Sequence, residues 1–135
     1  MAGTFTLNVV SPEGNVLKEE VEFVVLPGGA GELGILPNHA PLIAGLSIGV
    51  ARITINGSVK RLALAGGFVE VVDNSATVLA DTAELSEKID LSRALKAKER
   101  ATKRLASAAS EIDVKRAELA LRRAIARINA SEGSK

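Results

Sequence analysis

The chain has 135 residues, no Cys, Trp or Tyr, and a single His, a length that suits one domain or one modest domain with an appendage. This composition excludes thiol catalysis, a disulfide framework and a Cys/His zinc site. Because hydrophobic residues make up 47% of the chain and charged residues 24%, we expect a packed aliphatic core rather than disorder.

The net charge of +1 hides two unlike parts. Residues 1–84 carry 4 basic and 9 acidic residues, net −5, whereas residues 85–135 carry 13 and 7, net +6. Of the 12 Gly, 11 lie in the first part, as do all 4 Pro. We therefore predict one domain over residues 1–85 and a second unit over residues 86–135.

In the first part, short segments rich in β-branched residues alternate with turn residues, which is typical of strands. Asn56-Gly57 lies between two such segments and predicts a hairpin, since both residues tolerate positive φ. A further turn is predicted at Asp73-Asn74. Seven or more short strands in about 80 residues indicate a sandwich or a flattened barrel. The candidate strands are residues 5–10, 16–26, 42–46, 49–55, 59–64, 68–72 and 76–80.

Two stretches of the first part are more specific than ordinary turns. Residues 31–42 mix Gly and Pro with apolar residues and predict an irregular path at a buried corner, with His39 as a hydrogen-bonded structural residue. A catalytic His39 is the alternative, although no Ser or Cys partner is evident. Gly66-Gly67 predicts a bulge or a close approach of two backbones. Nothing in this part has the spacing of a phosphate-binding loop.

The second part contains neither Gly nor Pro from Leu85 to Glu132 and is dominated by strong helix formers. So long a segment needs a break, and residues 107–110 supply one, because Ser110 with Asp113 three residues later resembles a shortened capping box. We predict two antiparallel helices, residues 90–106 and 111–129, joined by a short turn.

These two helices repeat each other with an offset of 23 residues. The segment Ile89-Asp90-x-x-Arg93-Ala94 recurs as Ile112-Asp113-x-x-Arg116-Ala117. Alanines at three- and four-residue steps predict a smooth seam that buries little area, so the hairpin should be only conditionally stable. The repeat continues through Ala97/Ala120, Arg100/Arg123, Ala101/Ala124, Arg104/Arg127 and Leu105/Ile128.

Charged residues of the helices have two expected roles. Asp90 and Asp113 are expected at or next to helix N-termini, where a carboxylate caps free N–H groups. The arginines recur at steps of 7 and 4 along each helix, so they lie near one face, and nearby acidic residues are too few to neutralise them. An anionic ligand or an acidic protein surface is the natural complement. Solvated basic faces that merely keep the helices soluble are the alternative.

Three segments, in this order, resemble the epsilon subunit of the F-type ATP synthase, and the resemblance extends over essentially the whole chain. It implies an α+β fold, with an N-terminal β-sandwich of about ten short strands and a C-terminal antiparallel two-helix hairpin. It also implies that the sandwich binds the gamma subunit at the foot of the central stalk, near the c-ring of the membrane sector. The segments are Gly31-Glu32-Leu33-Gly34-Ile35-Leu36-Pro37-Asn38-His39-Ala40-Pro41-Leu42, Gly66-Gly67-Phe68-Val69-Glu70-Val71 and Lys115-Arg116-Ala117-Glu118-Leu119-Ala120-Leu121.

The resemblance further implies how the hairpin works. It folds down on the sandwich, or extends along gamma into the head of alpha and beta catalytic subunits, where it restrains ATP hydrolysis. The chain is then a non-catalytic part of an enzyme that translocates protons or sodium, peripheral on the cytoplasmic face of the cell membrane. The start of the sequence has no signal-peptide pattern, so we expect the protein to remain in the compartment where it is made.

Bacterial members of this family that bind ATP in the folded hairpin share the motif I/L-D-x-x-R-A, which residues 89–94 match. By this resemblance Ile89, Asp90 and Ala94 meet the adenine and ribose side, and Arg93 helps to hold the nucleotide. ATP is thus expected as a regulatory ligand, and a part for Mg²⁺ is left open. The remaining family contacts are matched at Glu84, Arg100, Arg123 and Arg127.

Three alternatives stay open. One is an epsilon subunit that inhibits without sensing ATP. Another is a nucleic-acid-binding protein whose basic hairpin meets phosphates, with affinity that falls steeply with salt. The hairpin lacks aromatic stacking residues and the first part is acidic, so we expect no nucleic acid as partner. The third is a small hydrolase that uses His39.

Overall fold

The computed structural model describes residues 3–131. Its strands form one continuous hydrogen-bonded sheet, in the order β2-β1-β7-β6-β5-β3-β4, with β8 paired to β6. The pairing of β1 with β7 is parallel, whereas the other pairings are antiparallel. The strands are β1 (Phe5–Ser11), β2 (Gly14–Val21), β3 (Phe23–Gly28), β4 (Gly31–Ile35), β5 (Leu42–Ile55), β6 (Ser58–Val72), β7 (Ser75–Ala80) and β8 (Ala83–Leu85).

One aliphatic core holds the sheet together. Side chains alternate between the two faces of a strand, and Phe5, Leu7 and Val9 accordingly point inward from β1 and are buried. All eight strands contribute to the same buried cluster, so the sheet folds over on itself around it. The predicted β-sandwich is confirmed.

The strand count differs slightly from the expected ten, because eight strands form and two of them are long. β5 and β6 run unbroken for 14 and 15 residues, where the sequence predicted two strands each. The two strands keep one register on both sides of Gly66, so the ladder continues past the glycine pair. Conversely, the single strand predicted over residues 16–26 is two, because the chain leaves β1 at Glu22 and pairs onward with β5.

Both predicted turns are confirmed. Asn56 and Gly57 join β5 to β6 with φ of 50° and 78°. Asp73 and Asn74 join β6 to β7 with φ of 50° and 57°. Two-residue turns with positive φ at both positions match the right-handed twist of the strands that they connect.

Residues 31–42 are not the buried corner that the sequence predicted. Their first five residues form β4, which pairs with β3. The chain then runs along the surface, where Leu36 is 58% exposed, because residues 36–41 belong to no strand. His39 is hydrogen-bonded as expected, with Nδ1 2.7 Å from the carbonyl oxygen of Ala40.

The second part forms the predicted hairpin of two helices, α1 (Leu91–Ala106) and α2 (Glu111–Ser131). α2 packs on β5 and β6, and α1 packs on α2, so the hairpin is folded down against the sandwich. The alanine seam is confirmed, because Ala94, Ala101 and Ala124 are at most 2% exposed. Among the described residues, no helix is long and apolar enough to cross a membrane.

Candidate functional site

Residues 89–94 build the start of α1. A single 3₁₀ turn, Ser86–Lys88, leads into it from β8. Asp90 is the N-cap, since its Oδ1 accepts a hydrogen bond from the backbone N of Arg93 at 3.1 Å. Ala94 is fully buried in the seam. These two residues therefore have structural roles in the folded hairpin, while Arg93 is exposed.

The second copy of this motif is placed differently. Asp113 lies in the first turn of α2 rather than at its cap. Ser110 is the capping residue, because its Oγ accepts a hydrogen bond from the backbone N of Asp113 at 3.2 Å. The two aspartates thus occupy different positions: Asp90 is the N-cap of α1, whereas Asp113 lies within the first turn of α2 and does not cap it.

Replacing Asp90 separates its capping role from any ligand contact. We expect Asp90→Ala to destabilise α1 by about 1 kcal/mol, because one orphan N–H of the first turn loses its acceptor. Asp90→Asn should keep the helix, since Asn caps as well as Asp. Helix content and the unfolding midpoint, measured by circular dichroism without nucleotide, check this. Equal losses in both variants would contradict the capping assignment.

A cavity of about 640 Å³ opens where the hairpin meets the sandwich. On the sandwich side its walls are the β1–β2 turn, the middle of β6 and residues 81–84. On the hairpin side they are Arg93 from α1 and Arg123 and Arg127 from α2. The volume lies within the range of about 300 to 1,000 Å³ that is typical of small-molecule sites.

A groove of about 190 Å³ lies over the alanine seam beside this cavity. Its lining consists of four pairs of residues, and the two members of each pair are related by the 23-residue repeat. Guanidiniums of both helices therefore meet above the small alanine side chains of the seam. Arg123 and Arg127 line the cavity as well as the groove, which makes the two spaces neighbours. The pairs are Ala97/Ala120, Arg100/Arg123, Ala101/Ala124 and Arg104/Arg127.

The charge of this region is only partly neutralised. Arg127 Nε donates to Glu84 Oε1 at 3.1 Å, and their side chains are 28% and 37% exposed. Glu99 is bound by Lys103 rather than by an arginine. Within residues 3–131, the other guanidiniums of the cavity and the groove have no carboxylate partner within 4.0 Å. Unpaired guanidiniums around a cavity favour an anionic occupant.

The structure brings together most of the residues that the sequence singled out. Glu84, Arg93, Arg123 and Arg127 line the cavity, and Arg100 lines the groove beside it. Ile89, Asp90 and Ala94 line neither space. Sequence reasoning missed the sandwich wall, above all Glu13 and Asp81, because only the packing of the hairpin brings them to the arginines and no local pattern marks them.

Comparison with known proteins agrees with both parts of the fold. Residues 4–86 match the family model described as ATP synthase, Delta/Epsilon chain, beta-sandwich domain. Residues 87–132 match the model described as ATP synthase, Delta/Epsilon chain, long alpha-helix domain. In the cryo-EM structure of Euglena gracilis mitochondrial ATP synthase, OSCP/F1/c-ring, one chain shares the fold with a TM-score of 0.79 at 22% identity, covering 98% of this chain and 82% of that chain.

Individual relatives are similar over nearly their whole length. The ATP synthase epsilon chain of Desulfitobacterium hafniense (strain Y51) is 72% identical over 131 residues, which cover 97% of this chain and 98% of the relative. That of Desulforamulus reducens is 53% identical over 132 residues, which cover 98% and 100%. This chain therefore belongs to the family of ATP synthase epsilon chains.

Proposed function

We propose that this chain is the central-stalk epsilon subunit of an F-type ATP synthase that translocates protons or sodium, and that its hairpin senses ATP. In this role it is a non-catalytic regulatory subunit. Its sandwich docks on the gamma subunit next to the c-ring and couples the rotor to the catalytic head. This role implies a peripheral position on the cytoplasmic face of the cell membrane.

The observation that carries the sensing role is a cavity whose walls come from both parts of the chain. Three guanidiniums of the hairpin face it, and charge-assisted hydrogen bonds to a triphosphate are the strong kind. A ligand that fills this space touches the sandwich and both helices at once. Such a ligand binds only the folded-down hairpin and therefore shifts the population toward it.

Because the alanine seam is weak, binding of a ligand can change the population of the folded-down hairpin. Small side chains bury little apolar area, at about 0.8 kcal/mol per CH₂, so the seam by itself holds the hairpin weakly. When ATP falls, the hairpin opens and its basic faces become available to acidic surfaces of the alpha and beta catalytic subunits. ATP is then a regulatory ligand of the folded-down hairpin.

An apolar face of the sandwich supports the docking role. Phe68 of β6 is paired with Leu79 of β7 on one side and with Gly45 of β5 on the other. Ile43 is two residues from Gly45 and therefore lies on the same face of β5. The side chains of Phe68, Leu79 and Ile43 thus share one outer face. They are 44%, 43% and 70% exposed with the hairpin folded down. Contiguous exposed apolar residues mark interaction sites, and gamma is the partner that the family relationship supports.

The test compares ATP hydrolysis by the assembled enzyme containing either the full chain or a chain that ends at Leu85. The strands alone supply the core cluster, so the shortened chain keeps its sandwich core. We expect the full chain to inhibit hydrolysis strongly at micromolar ATP and weakly at millimolar ATP, relative to the shortened chain. Equal inhibition at both concentrations would favour a subunit that inhibits without sensing ATP, and no inhibition at either would contradict the regulatory role.

A further inference from the structure

A single carboxylate interrupts the apolar face of the sandwich that we assign to docking. Glu70 lies between Phe68 and Val72 on the same side of β6, because side chains alternate along a strand. Its cross-strand partners are Ile43 of β5 and Thr77 of β7. Phe68, Val72 and Ile43 are all exposed. Apolar side chains therefore surround Glu70 on three sides, and a small polar residue lies on the fourth.

Glu70 is the one charged residue on this face where β5, β6 and β7 pair with one another. Within residues 3–131, no Lys or Arg side chain lies within 4.0 Å of its carboxylate. In the free chain the negative charge is therefore stabilised by solvent rather than by an ion pair. The other outward positions of β5 and β7 next to it are Gly45, Ser75, Thr77 and Leu79.

Docking of a partner on this face removes solvent from the carboxylate. Because the apolar neighbours of Glu70 are covered by the same contact, the carboxylate lies inside the contact area and not at its rim. A charge that loses water without gaining a partner is strongly unfavourable, whereas a charge that gains an opposite charge and hydrogen-bond donors is tolerated. The surface that covers this face therefore has to supply a cation opposite Glu70.

We propose that the gamma subunit presents a Lys or Arg side chain to Glu70, and that this ion pair fixes the orientation in which the sandwich docks; this rests on the proposed docking of gamma. Apolar contacts are non-directional, so Ile43, Phe68 and Leu79 alone do not select one orientation. A central ion pair penalises every orientation that leaves the carboxylate unpaired. In the proposed role orientation matters, because the sandwich carries a hairpin that extends along gamma.

A different role for Glu70 makes the opposite prediction. A charge within an exposed apolar face also opposes association between free chains, and it needs no partner to do so. If Glu70 served solubility alone, neutralising it would leave docking unchanged or strengthen it. If Glu70 is paired with a cation of gamma, neutralising it leaves that cation buried without a partner and weakens docking.

The test measures binding of the full chain to a complex of alpha, beta and gamma subunits that lacks epsilon. Biolayer interferometry gives the association and dissociation rates separately. Glu70→Gln keeps the size of the side chain and removes its charge. We expect it to dissociate at least about tenfold faster, because loss of one member of a buried charge pair acts on the dissociation rate, whereas a rim charge acts mainly on the association rate.

Two further variants make the result specific, and all of the variants carry the same hairpin. Glu87→Gln removes an exposed carboxylate in the 3₁₀ turn, away from this face, and should leave the dissociation rate unchanged. Ile43→Ala removes an apolar contact from the face and should raise that rate. An unaltered rate in Glu70→Gln, or an equal change in Glu87→Gln, would overturn the ion pair, while a faster Ile43→Ala would leave docking standing. If the wild-type chain does not bind, or Ile43→Ala binds like the wild type, docking on this face fails and the ion pair falls with it.

Discussion

Replacing Arg123 by alanine is expected to weaken ATP binding by the isolated chain at least about tenfold. Arg123 lines the cavity and also the groove over the seam, and no carboxylate within residues 3–131 holds its guanidinium. A hydrogen bond to a charged group contributes about 1.5–3 kcal/mol, which corresponds to at least a tenfold change in affinity. Isothermal titration calorimetry with ATP measures the effect.

Arg116→Ala is the matched control for this prediction. Arg116 lies on the same helix and is likewise exposed, but it lines neither the cavity nor the groove. Both variants remove one positive charge, so the difference between them isolates direct contact from the general field of the basic hairpin. Similar losses in both variants, or none in Arg123→Ala, would show that the cavity is not where ATP binds.

Replacing Gly67 by alanine is expected to lower the free energy of unfolding by about 2 to 5 kcal/mol. Gly67 has a φ of 113°, a conformation that costs an L residue strain, and its Cβ would lie 2.1 Å from the carbonyl oxygen of Leu79. Relief of the overlap requires the two paired backbones to separate, which adds the cost of an overpacked site. Chemical denaturation followed by circular dichroism measures the loss.

Gly45→Ala serves as the control for Gly67→Ala. Gly45 of β5 is paired with Phe68, the neighbour of Gly67 in β6. A Cβ added to Gly45 would meet nothing within 4 Å, and the φ of Gly45 is ordinary. We expect this variant to change the free energy of unfolding little. A stability of Gly67→Ala equal to that of Gly45→Ala would mean that the close approach of β6 and β7 is not rigid.

Local patterns predicted the local features of this fold well. Asn56-Gly57 and Asp73-Asn74 predicted their turns because positive φ is a property of those residues, and Gly66-Gly67 predicted a close approach for the same reason. The sequence divided β5 and β6 into two strands each because glycine marks strand ends and also occurs within strands, whereas the ladder continues past Gly66 in one register. The parallel pairing of β1 with β7 brings together residues about 70 positions apart in the sequence, and no local pattern encodes it.

The candidate site, like the fold, was predictable only in part. The steps of 7 and 4 placed three arginines on one face of each helix, and the groove brings together two from each, Arg100 and Arg104 with Arg123 and Arg127. Arg116, which the same spacing included, lines neither the groove nor the cavity. The sandwich carboxylates that line the cavity were not predictable, because only the packing of α2 on β5 and β6 brings the arginines to them. Family resemblance supplied Glu84, and the structure adds that its carboxylate is bound to Arg127.

If ATP stabilises the folded-down hairpin specifically, hydrogen exchange of the isolated chain, monitored by mass spectrometry, will show it. With ATP at about ten times its dissociation constant, exchange that requires the hairpin to open should slow by about tenfold. We predict this slowing for α1 and α2, with little change in β2 at the far edge of the sheet. Unchanged exchange in both helices at saturating ATP, or equal slowing throughout the chain, would show that ATP does not act on the hairpin specifically.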